Sequence, residues 1–114
     1  MLTNKSRYFK RIRNWSLKQV DTAEEFPWQH IVFKVKGKLF AICNTEKPLR
    51  ITLKPQKDNV DAYLYHPDIA IASHVGRFGW ITITIQNKDT ADLGFALVKE
   101  SYGVISSKHR KKKK

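Results

Sequence analysis

The side chains with the widest chemical range in this sequence lie in one short stretch, residues 74–80. Within it, His74 could transfer a proton, Arg77 could bind a phosphate or carboxylate group, and Trp80 could stack on a ring. Glycines flank the arginine at positions 76 and 79, so the backbone there can turn sharply or let a ligand approach closely. A lone loop histidine is more often a surface hydrogen-bonding residue than a catalyst. We therefore predict a contact site in this stretch and assign no catalytic residue.

No standard catalytic, phosphate-binding or metal-binding motif occurs in the sequence. The patterns GxGxxG, HExxH and GxSxG are absent, as is a P-loop, and the four histidines lack the spacing of metal ligands. The single cysteine, Cys43, excludes an internal disulfide and lies in an apolar run, as a small core residue does. Glu24 and Glu25 are adjacent, so their carboxylates should point apart, and we interpret them as solvated loop charges. The sequence favours a protein that is not an enzyme and needs no cofactor and no metal.

The net charge of +12 belongs to the two ends of the chain. Residues 1–20 contain six Lys or Arg and no acid, and residues 108–114 contain six more, whereas residues 21–107 contain ten bases and ten acids. This distribution indicates either an anionic partner or a means of staying soluble. Bases also alternate with aromatic residues in three segments, which is the combination that sequence-tolerant nucleic-acid binding uses. The candidate nucleic-acid contacts are Arg7, Lys10, Arg11, Arg13, Lys36, Lys38, His74, Arg77, Trp80, Lys108 and Arg110.

The first half of the chain predicts one helix followed by three strands. Residues 3–17 have apolar side chains spaced for one inward helix face, with bases over most of the remaining surface. Residues 18–30 are predicted to be a linker. Residues 31–43 form a predicted hairpin that turns at Gly37, where a positive φ is needed. A third strand follows at residues 49–54.

The second half predicts two helices and two strands. Residues 57–65 form a short helix and residues 69–72 an edge strand. Residues 81–85 alternate strictly between Ile and Thr, which predicts a strand with one face on the core and the other facing solvent or a partner. A final helix covers residues 90–107. Residues 108–114 have nothing to bury and are predicted to be a disordered tail.

Length and composition fit one domain, residues 1–107. No apolar run approaches the roughly 20 residues that a membrane-spanning helix needs. The basic N-terminus lacks the apolar segment of a signal peptide. We therefore expect a cytoplasmic monomer that does not bind membranes.

Four segments of the sequence resemble those of one known family. They are Glu24-Glu25-Phe26-Pro27-Trp28, Phe33-Lys34-Val35-Lys36-Gly37-Lys38-Leu39-Phe40-Ala41, Val75-Gly76-Arg77-Phe78-Gly79-Trp80, and Glu100-Ser101-Tyr102 followed by a lysine-rich end. By these segments the chain is identified as a member of the YjbR (MmcQ/YjbR) family of small bacterial proteins. The resemblance implies an α+β fold of the CyaY-like kind. It would be a two-layer sandwich with helices on one face of an antiparallel sheet, in the order α-β-β-β-α-β-β-α.

For function, the resemblance implies DNA binding, the label that members often carry. The matching positions most available to a ligand are Lys38, Arg77 and Trp80. The first helix departs from the family pattern, because it is basic where members often carry acids. This departure favours nucleic acid and disfavours iron handling, which would need an acidic ridge.

Three hypotheses remain open from the sequence. The leading one is a non-enzymatic domain that binds DNA or RNA with weak sequence selectivity, with the basic segments of the two long helices converging on one side of the sheet. The second is a protein-interaction or chaperone-like module that takes up a peptide on the exposed sheet face with Thr82, Thr84 and Trp80. The third is a small-molecule or enzymatic role near His74 and Arg77.

Overall fold

The protein is a six-stranded antiparallel sheet covered by helices on one face. The computed structural model describes residues 4–27, 30–46, 48–73 and 78–110, with the side chains of 4–6 and 108–110 left outside the description. The sheet order is β1-β2-β3-β4-β6-β5. In chain order the elements are α1 (Asn4–Lys18), β1 (Thr22–Glu25), β2 (Ile31–Val35), β3 (Lys38–Asn44), β4 (Leu49–Leu53), a 3₁₀ turn (Lys57–Asn59), α2 (Val60–Tyr63), β5 (Ile69–Ile71), β6 (Ile81–Ile85) and α3 (Lys88–Arg110). The predicted α+β class is confirmed.

The core lies between the sheet and the helices. Ile12 of α1 and Leu97 and Val98 of α3 are buried against the strands, and Val60 of α2 packs on the same cluster. The other face of the sheet carries no helix in the described part of the chain, and we call it the open face. No helix among the described residues is long and apolar enough to cross a membrane.

Strand β6 has the predicted alternation. Ile81, Ile83 and Ile85 are buried on the core side, and Thr82 and Thr84 are half-buried on the open face. Its neighbour β4 pairs with it in register and alternates in the same way. A strict period of two therefore correctly predicts which side chains meet the core and which reach the open face.

The β2–β3 hairpin turns through two residues. Lys36 has φ 53° and Gly37 has φ 80°, which is the type I′ geometry that matches the twist of the flanking strands. The positive φ predicted for Gly37 is confirmed. A bulge leaves Phe40 as an extra residue in β3, and it and the next residue, Ala41, are both buried.

The two long helices run parallel to each other. Arg11 lies beside Asp92 near the start of α3, and one turn later the Trp15 ring meets the rings of Phe95 and Tyr102 at centroid distances of 6.3 and 5.4 Å. Both ring pairs are edge-to-face, which aromatic quadrupoles favour. Matching ends of α1 and α3 therefore lie at the same end of the molecule.

Two boundaries differ from the prediction. Residues 22–25 form a strand, not a linker, because they pair with β2 along their whole length. The observed order thus has one more strand than the family resemblance implies. Helix α3 continues to Arg110, so the first three residues of the predicted tail are helical, and residues 111–114 lie outside the described residues.

Candidate functional site

The predicted contact residues are spread over several elements. They lie on α1 (Arg7, Lys10, Arg11 and Arg13), at the β2–β3 turn (Lys36 and Lys38), just before β6 (Trp80) and in the last turn of α3 (Lys108 and Arg110). His74 and Arg77 lie outside the described residues, as do the side chains at positions 108 and 110.

Arg13 is bound by an acid of the same chain. Its Nε and one terminal nitrogen each donate to a carboxylate oxygen of Glu24 at 2.9 Å. This two-point contact, first through the hydrogen bonds and then through the carboxylate charge, raises the pKa of Arg13. Glu25 points to the opposite face and pairs with Lys34 at 3.0 Å. The two glutamates do point apart as predicted, but their interpretation as solvated loop charges is wrong because both are ion-paired on a strand.

Arg11 is also engaged within the protein. Its guanidinium donates to Asp92 at 2.7 Å and lies 4.2 Å above the centre of the Phe95 ring. Lys88 reaches the other oxygen of Asp92 at 2.9 Å. Hydrogen bonds from these two cations lower the pKa of Asp92. Two of the four predicted arginine and lysine contacts on α1 therefore hold α1 to β1 and α3.

Exposed bases gather where the β2–β3 turn meets the end of α1. The backbone N–H of Lys36 donates to the carbonyl oxygen of Asp21 at 2.9 Å, which places the turn just beyond Lys18, the last residue of α1. Lys18, Lys36 and Lys38 are exposed, and none of them forms an ion pair with a described residue. These are lysines that a ligand could reach.

The last turn of α3 extends toward the same end. Ser101 Oγ donates to the carbonyl oxygen of Phe40 at 2.7 Å, so α3 crosses the start of β3 and continues past it. We call Lys18, Lys36, Lys38 and the last turn of α3 the basic end. Because the long helices are parallel, Arg11 lies about 25 Å from that last turn at 1.5 Å of helix rise per residue. The predicted convergence of basic segments therefore involves only the C-terminal end of α1.

Trp80 is half-buried in the segment that leads into β6. Its carbonyl oxygen accepts a hydrogen bond from the backbone N–H of Ala72 at 3.1 Å, which continues the pairing of β5 with β6. The indole makes no ring–ring contact among the described residues. Contact between Trp80 and a ligand stays a prediction.

Two groups with raised pKa values belong to the structure and not to a reactive site. Burial raises the pKa of the Cys43 thiol to about 12, so the thiolate is scarce at neutral pH. Burial, followed by the hydrogen bond to Glu100 and the charge of that carboxylate, raises the pKa of Tyr63 to about 12. Glu100 also accepts from the Gln56 backbone at 2.6 Å and from Asn59 at 3.0 Å, and so it fixes α2 and the turn before it onto α3.

The open face contains a groove of about 820 Å³, within the usual range for small-molecule sites. Its polar lining is His30, Asn44, Arg50, Thr52, Asp68, Ser73, Thr82, Thr84 and Gln86. Thr52 and Thr82 share a hydrogen bond of 2.8 Å across β4 and β6. None of the predicted nucleic-acid contacts that the structure describes lines it, whereas Thr82 and Thr84 of the predicted peptide-binding face do. No group of three or more His, Cys, Asp or Glu that could hold a metal occurs in the part of the chain that the structure describes.

Arg50 is a candidate functional residue that no sequence motif indicates. It stands opposite Asn44 of β3 and Thr84 of β6, on the open face of β4. The alternation of residues 49–54 already put Arg50 on the solvent side of a strand. Local alternation does not show which strands lie beside β4. The observed strand order brings hydroxyl and amide groups from three strands around Arg50.

The comparisons with known proteins support the family resemblance. The family model YjbR matches residues 16–104. The crystal structure of the Deinococcus radiodurans protein DR2400, described with a DUF419 domain, is 28% identical with a TM-score of 0.79, over 91% of this chain and 82% of that one. No curated protein matches the chain.

Two structures of a Pseudomonas syringae protein are similar in fold alone. The crystal structure is 20% identical with a TM-score of 0.63, over 83% of this chain and 96% of that one. The solution NMR structure is 21% identical with a TM-score of 0.65, over 84% of this chain and 90% of that one. With a family model that covers most of its length, this chain belongs to the YjbR family.

Proposed function

We propose that this chain is a non-enzymatic nucleic-acid-binding domain that contacts the phosphate backbone with its basic end. The observation that supports this proposal is the position of Lys18, Lys36 and Lys38. They come from separate elements, are exposed at one end, and make no ion pair with any described residue. Lysines in that state can replace the counterions condensed on a nucleic acid, and the release of those ions favours binding.

The same chemistry predicts weak sequence selectivity. A lysine ammonium binds a phosphate as a point charge, and phosphate contacts position a protein without reading bases. Arg11 and Arg13 are the residues better suited to two-point recognition, but they are occupied by Asp92 and Glu24. They are therefore removed from the proposed contacts, and Lys10, in the middle of α1, is kept as a peripheral contact.

The proposal is tested by fluorescence anisotropy titrations with duplex and single-stranded DNA and RNA at several salt concentrations. Lys38→Gln should weaken binding and reduce the slope of log K against log salt on duplex DNA by about 0.9, because one phosphate contact is lost. Lys36→Gln should do the same. Both lysines are exposed at the turn, so neither change should affect folding.

The matched control is Lys88→Gln. It removes the same charge at the start of α3, where Lys88 pairs with Asp92. Under the proposal its salt slope should stay at the wild-type value. Equal slopes for Lys36→Gln, Lys38→Gln and Lys88→Gln would contradict a localised basic end, and the absence of salt-dependent binding would contradict the function.

A protein-interaction module on the open face is the second candidate, favoured by the groove there. Its support is weaker, because protein interfaces depend on buried aromatic and Arg anchors. The groove lining includes Arg50 but, apart from His30, no aromatic residue among the described ones. If this were the function, a protein partner would perturb residues of the open face and leave Lys36 and Lys38 unaffected.

A further inference from the structure

The open-face groove contains an arginine, Arg50, that has no partner among the described residues. Four cations with described side chains are half-buried: Arg13, Lys34, Arg50 and Lys54. Arg13 and Lys34 form ion pairs, and Lys54 also has an interaction partner. Arg50 makes no hydrogen bond or ion pair with any described residue. A half-buried guanidinium is costly to desolvate unless a partner compensates, and an anionic ligand could supply that partner.

The same groove contains the acid with the weakest partner. Four acids are half-buried: Glu24, Asp68, Asp92 and Glu100. Glu24, Asp92 and Glu100 each accept at least two hydrogen bonds from described donors. The Asp68 carboxylate accepts one described hydrogen bond, from the Gln86 amide at 3.3 Å. Its second oxygen is available to a donor in the groove.

These two charges lie in one row across the sheet. Arg50 is opposite Thr84, and the backbone N–H of Thr84 donates to the carbonyl oxygen of Asp68 at 2.9 Å. One strand therefore separates them, which places their Cα atoms about 10 Å apart. They form no ion pair with each other. The hydroxyl of Thr84 and the amide of Asn44 flank Arg50 in the same row.

From this arrangement we infer that the groove binds a small zwitterion, a molecule with a carboxylate and an ammonium group of the kind found in amino acids and short peptides. Arg50 receives the carboxylate through two parallel N–H bonds, with Asn44 and Thr84 beside it. Asp68 accepts from the ammonium group. A phosphate dianion fits less well, because the described lining contains no lysine and a single arginine beside an acid. The site lies on the opposite face from the helices and is independent of the proposed nucleic-acid binding.

The test is an NMR titration of the full chain with glycine and dialanine, with acetate and methylammonium as probes that carry one charge each. Both zwitterions should shift the backbone amides of Asn44, Arg50 and Thr84 and the side-chain Nε–H signal of Arg50. Acetate should bind about tenfold to a hundredfold more weakly, because the bond to Asp68 is missing. Response to glycine alone assigns the groove to free amino acids, and response to dialanine alone assigns it to peptides.

Variants make the test specific. Arg50→Gln should weaken zwitterion binding by at least about tenfold, the loss expected for one charged hydrogen-bond pair. Asp68→Asn should remove the advantage of the zwitterions over acetate. Lys57→Gln and Asp61→Asn, which change the same charges at exposed positions outside the groove, should leave binding unchanged.

Thermal melts establish that each variant is folded, and the contacts of Arg50 and Asp68 predict little loss of stability. No shift of the groove amides by glycine or dialanine at high millimolar concentration would overturn the inference. Equal shifts in wild-type protein and in Arg50→Gln would also overturn it. A failure to bind DNA would leave this inference intact, because zwitterion binding is followed through the amide shifts of groove residues and DNA binding through those of the basic end.

Discussion

The helix-covered face and the open face of the sheet differ in how completely their half-buried arginines are paired. On the helix-covered face, Arg13 pairs with Glu24, Arg11 pairs with Asp92, and Glu100 accepts from several donors. On the open face, Lys34 pairs with Glu25, but Arg50 has no described partner. The difference separates charges that hold elements together from charges that a ligand can reach. A high net charge alone does not make this distinction, since both kinds contribute to it.

The largest contrast between the two faces should appear when apolar groups are removed. Phe40 is fully buried on the helix side, where its ring meets Tyr102 and Phe33. Phe40→Ala should lower the free energy of unfolding by about 3–5 kcal/mol, through lost burial and the cavity left behind. Ile42 is half-buried on the open face, so Ile42→Ala should lower the free energy of unfolding by only about 1–2 kcal/mol. Urea unfolding of both variants measures the contrast, and equal losses would contradict it.

The turn that presents Lys36 and Lys38 should be the next most sensitive point. Gly37 has φ 80°, and a β-branched side chain is strained there even though the space around it is open. Gly37→Val should therefore destabilise the protein by about 1–3 kcal/mol. Gly103→Ala is the control, since this helical glycine has open space and no positive φ, and it should stabilise the protein by about 0.5–1 kcal/mol. Unchanged thermal stability of Gly37→Val would place the strain elsewhere.

Removing one arginine from each face tests the contrast in charge directly. Arg13→Gln should lower the melting temperature, because Glu24 is only 11% exposed in its side chain and would lose a two-point partner. Arg50→Gln should leave the melting temperature nearly unchanged, because no described bond is lost. The effect of Arg13→Gln should be smaller than that of Gly37→Val, since the pair is partly solvated. A larger loss for Arg50→Gln would mean that Arg50 has a structural role.

The smallest expected effect appears only at alkaline pH. The pKa of Tyr63 is about 12 in the folded protein, against about 10 in an unfolded chain. The folded state thus holds this proton more tightly, so the stability that it contributes is complete below pH 10 and is lost as the pH rises toward 12. Tyr63→Phe should flatten the fall in stability across this window, as measured by urea unfolding at a series of pH values. Parallel curves for the two proteins would show that Tyr63 is not linked to folding.

Local patterns predicted much of the fold because their cause is local. The Ile-Thr alternation of residues 81–85 and the glycine at 37 determine a strand face and a turn without reference to the rest of the chain. Strand β1 was not predicted, since Thr22–Glu25 lacks apolar alternation and is a strand because β2 pairs with it. Its position is decided by tertiary structure, which overrides weak β-propensity.

The candidate sites were less predictable, because they depend on distant partners. Arg11 meets an acid 81 residues away, and Arg50 lies between β3 and β6, which are not consecutive in the chain. Net charge and family resemblance draw attention to bases at the surface. They could not separate Arg13, which is bound to Glu24, from Lys38, which is exposed. That separation required the three-dimensional arrangement.

The measurement that tests the central claim most directly is an NMR titration of the full chain with a short DNA duplex. Nucleic-acid binding at the basic end predicts shifts at the amides of Lys18, Lys36, Gly37 and Lys38 that diminish as salt is raised. The amide of Arg50, on the open face, should not shift. Shifts confined to the open face or to the first turns of α1, or no salt-dependent shift anywhere, would contradict the account.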